Sequence, residues 1–500
     1  MKAKRGTWAA LFATLASCTV GPDYRPPAVL TGAATAPSLI EGNAPPFAAD
    51  QPPAAWWRLY EAPELDALVD KALVRNTDLR TALASLEAAQ AALRATELER
   101  TPQTGVSGDV TYGQASADEK GAPRALSPGP VFGAIGSVSY DLDLFGRLRR
   151  SIQAGAADVD AARAALDLAR VNVAASVTGA YATVCAAGNQ IAVANRSIAL
   201  ARAIVSVTQR RFRGGVSGVN DVVRARALLA QTQASLPDFI ARQRAGLYLL
   251  ATLTGDPPEA VPASVGDCAT PPVIRHPIPV GDGTSLLKRR PDVREAERRL
   301  AASVAQIGVA TSALYPSVTL GGQLGTVATR GSDILSDRAF TWSLGPLVRW
   351  SFPNVAIARA GIAESNAVAR GNLASFDGTV LTALRETETA LSALARQLDT
   401  ERALQLARDQ AAIASRNAGK LYAGGVGQFI DTLDAERTLI QADAALADAT
   451  ARVADRQVQL FLVLGGGWQD APQPLETPLD DVTLPHQRKH AGGSGGRPNR

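Results

Sequence analysis

The sequence predicts a mostly α chain with a small β part, built as an internal two-fold repeat in which long antiparallel helical hairpins adjoin short pairs of amphipathic strands. Three observations carry this. The stretch from Phe212 to Gly255 is written again, without a gap, from Tyr422 to Gly465, every position moving by 210 residues. Gly214, Gly215 and Val216 return as Gly424, Gly425 and Val426, Asp221 as Asp431, and Arg242 as Arg452. Two Ala-rich segments, ending at Arg213 and Ala423, run for sixty-odd residues without an internal proline. Four shorter segments alternate apolar and polar residues with a period of two. The 210-residue offset also carries Tyr140 onto Trp350, and an offset of 214 carries Asp78 onto Asp292 and Pro102 onto Pro316. Two halves, residues 61–255 and 285–467, therefore share one plan.

Composition narrows the class. Of 500 residues, 46% are hydrophobic but only 5% aromatic, so the apolar surface comes from Ala, Leu and Val, which suits helices whose backbones approach closely. The net charge of +4 is mild and shows no basic stripe interleaved with aromatic residues, which argues against a nucleic-acid partner. Cys18, Cys185 and Cys268 form no metal-ligand spacing and no even disulfide framework.

At the N-terminus, Lys2, Lys4 and Arg5 precede an apolar run from Trp8 to Ala16, the layout of a secretory signal over residues 1–17. It is too short to span a bilayer. The run ends Leu15-Ala16-Ser17-Cys18, which resembles a bacterial lipobox and marks Cys18 as a lipidated first mature residue. Thr19 follows where an Asp would retain a lipoprotein at the inner membrane, so sorting to the outer membrane is implied. Several acyl chains, at about 0.8 kcal/mol per buried methylene, make a firm anchor in outer-membrane lipid. Residues 18–60 are rich in Pro, Ala and Gly and read as an extended segment laid over the body.

The first repeat, 61–255, opens with a helix whose apolar positions 65, 68, 69, 73, 79, 83 and 86 share one face and which ends near Pro102. A strand pair follows over 102–144: Val106, Gly108, Val110 and Tyr112 on one face, then Val138, Tyr140, Leu142 and Leu144. Asp141 and Asp143 share the opposite face of the second strand, which suggests a polar lumen. A long helical hairpin occupies 147–253, and a linker covers 256–284. The second repeat, 285–467, repeats the order with a helix, a strand pair at 316–352 and a hairpin at 355–464. Residues 468–500, rich in Pro, Gly and basic side chains, read as a disordered tail.

Strands with one apolar and one polar face fit either a soluble sheet or a membrane barrel. Their length of about ten residues and the rings of Tyr112, Tyr140, Phe340, Trp342 and Trp350 favour the barrel. Four strands cannot close one, since about eight is the practical minimum and an open edge does not survive in lipid. The barrel must be shared between chains.

The rods of sixty-odd residues, at about 1.5 Å each, reach about 100 Å, which matches the depth of a periplasm better than the diameter of a domain. Val171 to Asn195 contains no charge and is long enough to span a membrane, but it is mostly Ala with Asn172, Ser176, Thr178, Asn189 and Gln190 inside it. Its repeat partner around Leu381 to Ala395 carries Arg385, Glu386 and Glu388, so a spanning helix is disfavoured. At the far ends the paired glycines Gly214-Gly215 and Gly424-Gly425 permit sharp reversals into antiparallel helices over 219–253 and 429–464. Asp221 and Asp431 stand near the start of each return helix, where a carboxylate complements the helix dipole.

No enzyme is visible. His276, His486 and His490 lie in Pro-rich or tail segments, no phosphate loop follows a strand, and no metal or cofactor is called for. A non-conducting periplasmic coiled-coil scaffold would explain the rods but not the four amphipathic strands.

Several stretches together resemble the outer-membrane factor family, the TolC/NodT-type channels of tripartite efflux pumps. They are Cys18 to Pro27, Trp56-Trp57, Asn76-Thr77-Asp78-Leu79, Tyr140 to Arg147, Leu286 to Val293 with Ala296-Glu297, and Tyr422 with Asp431-x-x-Asp434-Ala435. The resemblance implies a homotrimer with a twelve-stranded outer-membrane β-barrel, a trimeric α-barrel tunnel of twelve helices in the periplasm, and an equatorial belt. It implies a tip opened by a periplasmic adaptor (membrane fusion) protein bound to an inner-membrane transporter, and the lipobox and Arg-Pro-Asp stretch look like the resistance-nodulation-division branch. Asp431 and Asp434 fall on the carboxylates that ring the mouth of such channels, and Tyr422 and Asp221 on positions that tie neighbouring hairpins in the shut state. Where TolC-like members carry a turn arginine, this chain has Gly427. The alternative within the class is the outer-membrane duct of a type I protein secretion system.

Overall fold

The computed structural model describes residues 19–31, 39–42, 45–114, 116–118, 121, 123–125, 127–353 and 355–476. The signal expected over residues 1–17, the expected lipidation site Cys18 and the part of the expected tail from 477 onward lie outside the described residues. Residues 468–476, expected as disordered tail, are held on the body: the Trp468 indole donates to the Arg289 carbonyl at 3.1 Å and the Leu475 amide to that of Val74 at 2.9 Å.

The first repeat begins with α1, Pro63–Arg75, opened by a proline whose missing amide costs nothing at a helix start. The expected single helix up to Pro102 is two helices, because α1 ends at Asn76 and α2 runs Thr77–Leu98. The Asn76 side chain accepts from the amides of Asp78 (2.9 Å) and Leu79 (3.3 Å) and donates to the carbonyl of Leu253 at 3.0 Å. One buried asparagine thus ends one helix, caps the next and ties both to the end of the first hairpin.

Strands β1, Gln103–Gly113, and β2, Gly129–Asp141, form the first pair. Asp143 does not continue β2, as the alternation suggested. It sits in a turn with φ 44° and its carboxylate caps the next helix, accepting from the amides of Leu148 (2.8 Å) and Arg149 (2.9 Å). Asp141 pairs with Arg147 at 3.1 Å. Helix α3, Arg147–Arg213, has 67 residues and reaches about 100 Å.

The return helix is also divided, into α4, Val219–Gln233, and α5, Leu236–Leu253. Pro237 lies in the first turn of α5, where its absent amide and bulky ring are tolerated, and the helix restarts there. At the same place in the second copy stands Ala447, and that return helix is unbroken.

After a short helix α6, Gly283–Arg289, the second repeat is α7, Pro291–Ser312; β3, Ser317–Ala328; β4, Phe340–Arg349; α8, Val355–Ala423; and α9, Phe429–Leu464. The four strands form one antiparallel sheet in the order β1-β2-β3-β4. Its register pairs Val106 with Gly136, Gly136 with Leu324 and Leu324 with Trp342, so every even-numbered position lies on one face. That face carries Val110, Tyr112, Val138, Tyr140, Leu320, Phe340 and Leu344, all exposed in the single chain, with Val106 at 92% and Trp342 at 70% exposure. The odd-numbered face holds Ser107, Asp109, Thr111, Ser137, Ser139, Gln323, Thr341 and Ser343. The edges of β1 and β4 have no strand partner among the described residues.

The core sits midway along the rods. Trp56 is fully buried, its ring stacked on Phe461 at 4.7 Å, among Leu65, Val69, Leu73, Val177, Val184, Leu391 and Leu460. Here lies the uncharged run Val171 to Asn195: Val171, Ala174, Val177, Ala180 and Val184 are buried by protein, so its apolar side already has a partner. Small residues set the spacing, since a Cβ on Gly246 of α5 would come within 2.7 Å of the Val184 methyl.

The linker wraps this level. Residues Ile278–Pro279 pair in parallel with Phe47–Ala48, and Gln457 of α9 both donates to and accepts from the backbone of Ile274, at 2.8 and 2.9 Å. Cys185 and Cys268 are joined in a disulfide that closes 83 residues and ties the linker to the middle of α3. This corrects the reading of three cysteines as no framework, since two of them pair across the linker. Gly188 makes room, because a Cβ there would stand 2.0 Å from the Cys268 carbonyl oxygen.

Candidate functional site

Both hairpins turn at the end of the rods remote from the sheet. In each turn only the second glycine has a left-handed backbone, Gly215 at φ 71° and Gly425 at φ 80°, whereas Gly214 is at φ −81°. The amides of Gly214 and Gly424 return to the carbonyls of Arg210 and Lys420, and those of Val216 and Val426 to Arg211 and Leu421. Gly427 packs closely against this turn. Its amide donates to Leu421 at 3.0 Å, and a Cβ there would lie 2.9 Å from the Tyr422 nitrogen and 3.0 Å from the Leu421 carbonyl carbon. A side chain there needs a small local shift of the turn, which the first copy makes with Ser217 at the matching position.

The two tips are fastened to each other within the chain. Ala225 and Leu228 of α4 pack with Tyr422, Phe429 and Leu433 in one small cluster. Arg211, at the end of α3, places its guanidinium 4.2 Å from the centroid of the Tyr422 ring and donates to the Tyr422 carbonyl at 2.9 Å. The Tyr422 hydroxyl is buried without a hydrogen-bond partner among the described residues. Burial pushes that phenol up, Arg211 opposes the shift and Asp221 adds to it, so Asp221 is an electrostatic neighbour, not a hydrogen-bond partner, in the single chain. Arg211 was not singled out in the sequence; its signal is the basic run Arg210-Arg211-Phe212-Arg213 at a helix C-terminus, where cations suit the dipole.

Asp431 and Asp434 lie in the first two turns of α9, both exposed, and neither forms an ion pair among the described residues. Glu436, half a turn further, is 7% exposed with one carboxylate oxygen unpartnered. Burial raises its carboxyl above the ordinary value, and a hydrogen bond from Ser415 offsets part of the rise.

At the opposite end the segment that follows Cys18 is seated against the sheet side of the rods. Arg150, buried at the start of α3, donates to the carbonyls of Val20 and Gly21, each at 3.1 Å, and to Asp23 at 2.9 Å. Arg149 donates to the Thr19 hydroxyl at 2.6 Å, and the Tyr24 hydroxyl donates to Glu297. Gly21 lies so close to α7 that a Cβ on it would stand 2.4 Å from the Gly308 Cα.

The Arg-Arg-Pro-Asp stretch has a capping role. Arg289 donates to the Leu464 carbonyl at 2.7 Å and Arg290 to that of Val463 at 3.0 Å, satisfying the exposed carbonyls at the end of α9. Arg290 also binds Asp292 at 2.7 Å and Glu386 at 3.0 Å, fixing α7 and α8 to the same point. Among the described residues no cluster of His, Cys, Asp and Glu has metal-binding geometry.

The profile of the family described as outer membrane efflux protein matches residues 68–256 and 284–466, most of both repeats. A "Nodulation protein T" from Rhizobium leguminosarum bv. trifolii is 28% identical over 91% of this chain and 95% of its own. A "Pyoverdine export outer membrane protein OpmQ" from Pseudomonas putida is 30% identical, over 86% of this chain and 94% of its own. Among solved structures, the outer-membrane channel OprN superposes with a TM-score of 0.83 at 34% identity, over 90% of this chain and 100% of that one. The fold built from the repeated hairpins and the sheet is thus a known one, and the chain belongs to the outer membrane efflux protein family.

Proposed function

We propose that three copies of this chain build a passive duct, with twelve strands in the outer membrane and twelve helical segments forming a periplasmic tunnel. The supporting observation is the open sheet. One face is apolar, the other mostly polar with Val131, Ile135, Val327 and Leu347 as exceptions, and β1 and β4 keep edges without a strand partner among the described residues, which lipid would not tolerate. Partner chains close it, and four strands from each of three copies suffice for a lumen lined by the odd-numbered face. Helices of 67 and 69 residues carry the duct across the periplasm.

The protein works as an outer-membrane efflux channel, not an enzyme, and the partners are a periplasmic adaptor protein and an inner-membrane resistance-nodulation-division transporter. Cys18 carries the lipid anchor, and the contacts of Arg149 and Arg150 seat the chain that follows it beside the barrel. At the mouth, Asp431 and Asp434 of three chains ring the lumen, an arrangement that favours cations. Tyr422 and Asp221 stand where neighbouring hairpins meet in the shut state.

In planar bilayers, purified full-length protein is expected to insert as a heat-resistant trimer and give stepwise conductance. A protein that never conducts overturns the reading in favour of a scaffold. Loss of palmitate labelling in Cys18→Ser tests the anchor, and label retained by that variant contradicts it.

A further inference from the structure

The internal repeat places Arg224 where the second copy has Asp434, and Asp221 where it has Asp431. The sign of one charge at the tip is therefore exchanged between the two hairpins. Helices α4 and α9 both run away from the turns, and they face each other through Ala225 and Leu228 on one side and Phe429 and Leu433 on the other. With about 100° between successive residues, Arg224 precedes its buried neighbour Ala225 and Asp434 follows its buried neighbour Leu433. For two parallel helices in contact, these two offsets open on the same side of the contact, as flanking charges do in a parallel coiled coil. Arg224 and Asp434 are both exposed, and neither forms an ion pair with another described residue of the chain.

We infer that Arg224 lines the mouth beside Asp434 and is a selectivity-determining residue of the channel, halving the negative charge of the ring. This rests on the reading of Asp431 and Asp434 as lumen carboxylates. Those two acids contribute two negative charges per chain, six in a trimer; one Arg224 per chain leaves one, three in a trimer. The mouth is thereby an alternation of guanidinium and carboxylate, less hostile to anionic and zwitterionic cargo than a purely acidic ring. It also supplies a cation at the tip of a chain that has Gly427, not an arginine, in the turn.

The test is ion selectivity and block of single channels in planar bilayers, with the heat-resistant trimer confirming assembly of each variant. Arg224→Gln is expected to raise the cation-to-anion permeability ratio, and to tighten block by hexaamminecobalt(III) added on the tunnel side, by about 1.4- to 5-fold, the range open to an exposed charge pair. Arg224→Asp should do more, and exchanging the charges in Arg224→Asp with Asp434→Arg should return block toward that of the parent. Asp431→Ala with Asp434→Ala should weaken it. If that double variant responds and Arg224→Gln does not, the inference is overturned while the acidic ring stands. If the double variant is unchanged, the ring itself is wrong and the inference falls with it.

Discussion

Arg211 and Tyr422 come from different hairpins of one chain, yet the guanidinium of the first lies 4.2 Å from the ring centroid of the second and donates to its carbonyl at 2.9 Å. This contact fastens the end of α3 to the end of α8 at the hairpin tips, the proposed mouth of the tunnel. A cation over a half-desolvated ring contributes about 0.5–2 kcal/mol, or roughly 2- to 30-fold in an equilibrium. Arg211→Ala is expected to increase the open fraction of adaptor-free channels by a factor in that range, and Arg211→Lys by less. Gating statistics in planar bilayers check this, and unchanged open times in both variants contradict it.

The disulfide between Cys185 and Cys268 holds the linker on α3. Removing a cross-link of this kind typically costs about 2–4 kcal/mol. Cys185→Ala, Cys268→Ala, or reduction of the parent should each lower the midpoint of thermal unfolding, and reductant should have no effect on the double variant. Mass analysis after alkylation checks the pairing; two alkylated thiols in unreduced protein from the periplasm would contradict it.

Glu436 sets a pH dependence. Burial raises its carboxyl above the ordinary value of 4.5. The native state then binds more protons than the unfolded chain, so stability falls as pH rises from about 4.5 through the raised value. Above that window the penalty is complete. Glu436→Gln is therefore expected to raise the unfolding temperature by a few degrees at pH 8 and to leave it unchanged at pH 4. A stabilisation larger at pH 4 than at pH 8 has the wrong sign.

Arg150 seats the N-terminal segment through two carbonyls and a carboxylate, and its guanidinium is buried. Arg150→Ala should speed amide hydrogen exchange across Val20 to Tyr24 at least tenfold, with exchange in α8 unchanged. Equal protection in parent and variant would show that the close approach of Gly21 to Gly308 holds the segment unaided.

Much of this fold is legible because its long elements repeat. The rods lie between Gly146 and Gly214 and end at Gly424 in the second copy, since a left-handed glycine or a turn glycine ends a helix whatever packs on it. The apolar face of the sheet follows from a period of two that tertiary context does not disturb. The misses have local causes. Asn76 splits the first helix through a buried hydrogen bond to Leu253, a partner 177 residues away that no window of sequence contains. Asp143 is diverted from the strand because its carboxylate is worth more as a cap for α3. The helix expected over 219–253 is two, because Pro237 restarts it in the first turn of α5. At the tip, Asp431 and Asp434 were singled out by the resemblance to the family, whereas Arg211 and Glu436 acquire their character only when two hairpins converge.

One chain supplies part of a wall, and the account stands on how many chains complete it. Native mass measurement of the full-length protein released from detergent micelles tests this most directly. Three copies per particle are expected; a monomer that is stable in water without detergent, or a particle of any other copy number, would contradict it.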